Sequence, residues 1–168
     1  MKKYIVTVLA MVLALSLVFL GSSYSQATAK ETKIMEFSTM VGVPRPYTGA
    51  TNAIRGVNGG GLPWKIVGSA EGELKASGKL EITVRGLVLA EGANIDKNPI
   101  PNFKAIVSCL SKDASGNPTT ANVSTGLFPA DLAGNAEIEE TLSLPSPCIA
   151  PIIFVTSPTG SWFAATGQ

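Results

Sequence analysis

The chain contains no histidine. That removes Ser-His-Asp and Cys-His nucleophilic catalysis and every imidazole metal site. No G-x-S-x-G elbow and no S-x-x-K motif occurs either. Charge is sparse and balanced, 13 Lys and Arg against 12 Asp and Glu. Such a balance gives no electrostatic footprint for nucleic acid or an anionic membrane. No amphipathic helix pattern follows the first thirty residues, and no internal repeat is visible. Long apolar runs are equally scarce, with a single instance at residues 4–20.

That run follows the basic start Met1-Lys2-Lys3 and precedes a small, polar stretch ending Ala27-Thr28-Ala29. The three parts match a secretory signal peptide with an A-x-A cleavage site. The expectation is a signal helix in residues 1–29, removed to leave Lys30 at the mature N-terminus. An uncleaved anchor is the alternative, although the run is shorter than the roughly 20 residues a spanning helix needs. No later stretch could span a bilayer, so no membrane span is expected after cleavage. Residues 30–168 then form a single domain large enough for a real core. Its net charge is −1, because loss of Lys2 and Lys3 leaves 11 bases against 12 acids.

Two cysteines, Cys109 and Cys148, are all the chain has. In an exported protein they can oxidise to one disulfide. Cys109 ends an apolar, strand-like run in which Ala105 and Val107 share its face. Cys148 sits among Pro145, Pro147 and Pro151, which exclude a helix interior or central strand there. A strand is expected only after them, at residues 152–155. With apolar flanks on both sides, the bond is expected to be buried and hard to reduce, and loss of either cysteine to cost about the same.

The rest of the mature chain reads as strands and turns. Met35, Phe37, Thr39 and Val41 alternate onto one face, suggesting one N-terminal strand. Leu80, Ile82 and Val84 alternate with Glu81, Thr83 and Arg85, the clearest two-residue period present. Gly86 then interrupts, and Leu87-Val88-Leu89 should be covered on both faces or bent away. Further strands are expected at residues 64–68, 71–76, 103–110, 122–128, 136–142 and 162–166, with residues 135–140 also able to form a helical turn. Eight or nine short strands with turn signals between them point to an all-β fold. An antiparallel β-sandwich is favoured over a barrel because the strands are short and uneven.

Three constellations carry possible chemistry. Residues 55–61 are glycine-rich but are followed by Leu62-Pro63-Trp64, so they are neither a phosphate loop nor a dinucleotide fingerprint. Arg55, Asn58 and Trp64, with Tyr47 upstream, could hold a sugar or peptide. Otherwise Trp64 plugs the end of the sandwich and Arg55 tethers the loop to carbonyls. Glu71 with Glu73, and Glu137 with Glu139, place acids two apart on strand faces, a spacing compatible with glycoside hydrolysis. Asp113, Ser115 and Asn117 space three oxygens like the start of a calcium loop but lack the later glutamate, and ordinary turn chemistry explains them equally. The Asn122-Val123-Ser124 triplet also fits a glycosylation sequon.

Residues 55–64, 98–110, 144–156 and 162–167 resemble a group of small exported bacterial proteins rich in β-structure. The likeness covers most of the mature chain and implies export and a β-rich fold, with no activity to carry over. A looser similarity is to the CHRD domain, a secreted β module. Its pattern includes histidines, so any metal role in that family does not transfer to this chain.

The reading that results is a secreted, non-enzymatic β-sandwich without cofactor, acting as a binding or structural module on an envelope polysaccharide or protein. A small carbohydrate-active hydrolase using the paired glutamates is the first alternative. The second is a filament or matrix subunit in which residues 33–41 add to a neighbour's sheet edge.

Overall fold

A computed structural model describes residues 31–167. The expected signal helix and its cleavage site lie outside the described residues. Within them the chain is all-β, with twelve strands and no α-helix. One sheet has the order β1 (Lys33–Phe37), β4 (Ala70–Lys75), β5 (Lys79–Val84), β10 (Ala136–Thr141). The second has the order β2 (Met40–Gly42), β12 (Trp162–Thr166), β11 (Ile149–Thr156), β7 (Asn102–Lys112), β8 (Pro118–Ser124), with β9 (Phe128–Pro129) also on β7. A small ribbon joins β3 (Trp64–Ile66) to β6 (Leu87–Leu89). Every strand pair is antiparallel, and neither large sheet closes into a barrel.

The core is a single apolar cluster between the two sheets. Leu74, Leu80, Val84 and Ile138 come from the first sheet; Phe103, Ala105, Val107, Ile153 and Val155 come from the second. Burial along β5 alternates as the sequence indicates, with Leu80, Ile82 and Val84 inside. Each such aliphatic side chain contributes roughly 1.5–3 kcal/mol on leaving water.

Nine expected strands become twelve because three of them break. The N-terminal one breaks at Ser38-Thr39, where the chain leaves the first sheet and enters the second. Its phase changes there: Met35 and Phe37 are half-buried, whereas Met40 is buried and Val41 is 59% exposed. A single run on one face was the wrong expectation, since a strand that changes sheets also changes its inward side. The second break is Gly86, at φ +78°, after which Leu87, Val88 and Leu89 are all buried. The third separates β8 from β9, where the Thr125 hydroxyl accepts the Ala105 N–H at 2.9 Å.

One further expectation is corrected and one alternative falls away. β11 starts at Ile149 and contains Pro151; the ladder shifts register between Ile149 and Ile152, and such a bulge accommodates a residue without an N–H. Residues 136–141 are strand rather than helical turn, because Ala136 and Ile138 point into the core opposite Val84 and Ile82.

One turn type recurs four times. In residues 75–79, 113–117, 131–135 and 157–161 the fourth position is glycine, at φ +89°, +83°, +78° and +94°. Each glycine N–H donates to the carbonyl of the first residue, at 2.9–3.0 Å. This is the three-residue hairpin connection, whose left-handed position favours glycine.

Candidate functional site

The glycine-rich segment is a strap laid across the second sheet. On β7, Phe103, Ala105, Val107 and Cys109 face the core, yet Ile106 and Ser108 on the opposite face are buried as well. The strap lies against Ser108. The Gly60 N–H donates to the Trp162 carbonyl at 2.8 Å, and the Trp162 N–H donates to the Asn58 carbonyl at 2.8 Å. The Arg55 guanidinium donates to the carbonyls of Ser108 (2.9 Å) and Ala150 (2.8 Å). In turn the Asn122 side-chain amide donates to the Arg55 carbonyl at 3.0 Å. Glycine is required at Gly59 by proximity, since a Cβ there would lie 1.9 Å from the Tyr47 carbonyl oxygen.

The four candidate ligand residues therefore do not converge on one cavity. Tyr47 is 41% exposed on the strap's outside, its ring 6.4 Å from that of Trp162. Asn58 is exposed, and Arg55 is engaged with carbonyls. Trp64 is 5% exposed, stacked on Phe163 at 3.9 Å and edge-on to Phe103 at 6.3 Å. It is a core side chain closing one end of the sandwich. Sequence reasoning missed Ser108 and Trp162. Their Oγ and Nε1 atoms are buried and have no hydrogen-bond partner among the described residues.

The glutamates occupy the open face of the first sheet. The register places Glu36, Glu73, Glu81 and Glu139 side by side, one on each of its four strands. Like charges directly opposite one another repel. Lysines in the adjoining row offset this. Lys33 lies 2.7 Å from Glu73 and 3.1 Å from Glu36; Lys75 lies 3.1 Å from Glu73; Lys79 lies 3.0 Å from Glu139 and also pairs with Glu81. Glu71 and Glu137 stand one row further on, each opposite Thr83, and Arg85 holds Glu137 at 2.5 Å. Hydrogen bonds from Lys33 and then Lys75 pull the Glu73 carboxyl below its ordinary value. A glycosidase acid needs the opposite shift, from burial in an apolar pocket. An open groove of about 530 Å³ runs beside this row, lined by Glu36, Phe37, Glu71, Glu73, Glu81 and Thr83 among others. The row was invisible in the sequence because its members come from four separate strands.

The possible calcium loop is one of the four recurring turns. The Asp113 carboxylate accepts the N–H of Ser115 (2.8 Å) and of Asn117 (2.9 Å), and the Asn117 side-chain amide at 3.3 Å. Its lone pairs thus face the chain's own donors. Asp131 does the same with Asn135. Both carboxyls titrate below their ordinary value, chiefly through the backbone N–H of Asn117 and of Asn135 respectively. A depressed folded-state value stabilises fully above the unfolded value of about 3.9 and is lost as pH falls through the folded one. Asp113→Ala with Asp131→Ala should therefore lower the melting temperature at neutral pH. The gap to the parent protein should narrow as pH falls below about 4. Thermal melts across pH measure this, and a gap independent of pH would contradict it.

Cys109 and Cys148 are joined by a disulfide, with Cα atoms 4.9 Å apart. The bond is buried at one end only. Cys109 is fully enclosed, whereas Cys148 is half-buried, and the apolar neighbours Leu110 of Cys109 and Ile149 of Cys148 are exposed. The apolar flanks misled because they pair with each other at the sheet's outer end.

No family model, curated protein or solved structure matches the chain.

Proposed function

We propose that the protein acts outside the cytoplasm as a non-catalytic β-sandwich, a binding or structural module of the cell envelope. The observation that carries this reading is the Cys109–Cys148 bond. Disulfides persist in oxidising compartments and are rare in reducing ones. The signal pattern at residues 1–29 and the likeness to small exported proteins support the same placement. The lysine-paired glutamates favour a non-catalytic role, since they stand on an open face and Lys33 and Lys75 hold the Glu73 carboxyl below its ordinary value. The partner is an envelope polysaccharide or protein.

Fractionation of cells expressing the full chain tests the placement. The protein should be recovered outside the cytoplasmic membrane without free thiols, and a cytoplasmic, reduced pool would reject it. Incubation of the purified protein with insoluble envelope polysaccharide tests the role. Retention without release of reducing ends, unchanged by Glu73→Gln with Glu139→Gln, is expected. Hydrolysis abolished by those substitutions would replace the module with an enzyme.

A further inference from the structure

We propose that two copies of this chain join through the outer edge of β8, antiparallel, with Asn122 facing its own counterpart across a two-fold axis. Among the described residues β8 ends its sheet, and no strand lies beyond it. The direction of its backbone groups follows from the turn and from the proline. The Asp113 N–H donates to the Asn117 carbonyl and the Thr125 N–H to the Ala105 carbonyl. Between these points the antiparallel ladder alternates, so Thr119, Ala121 and Val123 bond to β7. Thr120, Asn122 and Ser124 then aim their N–H and C=O groups outward, and Pro118 puts its missing donor on the same side.

The other outer strands are protected in ways that β8 is not. β1 carries a bulge between Lys33 and Met35 as well as two charges. β2 has three residues, and β10 carries Glu137, Glu139 and Glu140. Bulges, charges and short length are the usual defences of an edge. β8 has seven residues, no charge and no register shift against β7. An uncharged edge meets its own copy without like-charge repulsion, which suits a second chain rather than a charged partner. One register uses every outward N–H of the strand. With Asn122 opposite Asn122, Thr120 meets Ser124 in both directions, and each outward N–H gains an acceptor. Shifting one step toward the turn sets Pro118 against Asn122 and forfeits a donor. Shifting one step away requires the Gly126 N–H, which already donates to Glu140 at 2.8 Å. The edge that pairs is thus not residues 33–41 but residues 120–124.

Sedimentation equilibrium of the full chain tests the proposal. A concentration-dependent dimer is expected, and a monomer persisting to about 1 mM overturns it. Thr120→Pro removes an outward N–H that bonds nothing within the chain. It should weaken the dimer at least about tenfold, a change of 1.4 kcal/mol, while leaving the circular dichroism spectrum unchanged. A dimer indifferent to it uses another surface. Asn122→Asp and Asn122→Lys give up the contact with the Arg55 carbonyl and place like charges beside the axis, so each variant alone should be folded but monomeric. Their equimolar mixture should form the heterodimer, and failure of the mixture to associate while both variants remain folded rejects the two-fold register.

Discussion

Trp64→Ala should destabilise the protein by about 3–5 kcal/mol, the range for truncating a large buried aromatic. The ring is stacked on Phe163 and meets Phe103 edge-on, and these two rings contact each other at 5.8 Å. Its removal leaves a void that backbone pinned on both sides cannot close. The Trp64 N–H holds the Val43 carbonyl at 3.1 Å, and the Val43 N–H holds the Phe163 carbonyl at 2.8 Å. Trp64→Phe keeps a ring on Phe163 and should recover most of the loss. Urea unfolding decides the point through a lower midpoint at an unchanged slope. A ligand-binding tryptophan on the surface would behave differently, with binding lost and the midpoint unmoved.

Removal of the disulfide should cost about 2–5 kcal/mol. It closes a separation of 39 residues and ties β11 to β7 at the end where the ladder shifts register. The two single substitutions are not equivalent. Cys109→Ser leaves a hydroxyl in a fully buried site, with an added penalty for an unpaired polar group. Cys148→Ser leaves its hydroxyl half in water. The first should be the more damaging, and the double variant should cost little more than the first alone, because both remove one bond. The loss should reach the strap too. Ala150, two residues beyond Cys148, supplies one of the two carbonyls that hold Arg55. Amide exchange at Gly59 and Gly60 should accelerate in Cys148→Ser before the core amides do. Equal unfolding midpoints for oxidised and reduced protein would remove the staple from this account.

Local patterns were legible in the sequence where the cause is local. The alternation of Leu80, Ile82 and Val84 needs only one wet and one dry face. The cysteine pairing needed only a count of two. The switch at Ser38-Thr39 was not legible, because both halves are short and alternate correctly on their own. Nor was the strap. A glycine run signals backbone freedom, but Gly59 is there because Tyr47 lies against it, a contact set by tertiary structure. The recurring turn was hidden by its first residue, which is Lys75, Asp113, Asp131 or Ser157; the backbone needs only the glycine in fourth place. The glutamate row depends on register across four strands, which no single segment encodes.

The pairing of β2 with β12 sets an order in time. Synthesis delivers residue 42 long before residue 162, and until then β2 has no partner in its sheet. Contacts between segments so distant in sequence form late. β11, with the thiol of Cys148 just ahead of it, is another late arrival, so the sheet and its cross-link are completed only after most of the domain has been made. Until residues 149–166 have emerged the second sheet stays split, with β2 on one side and β7 with β8 on the other.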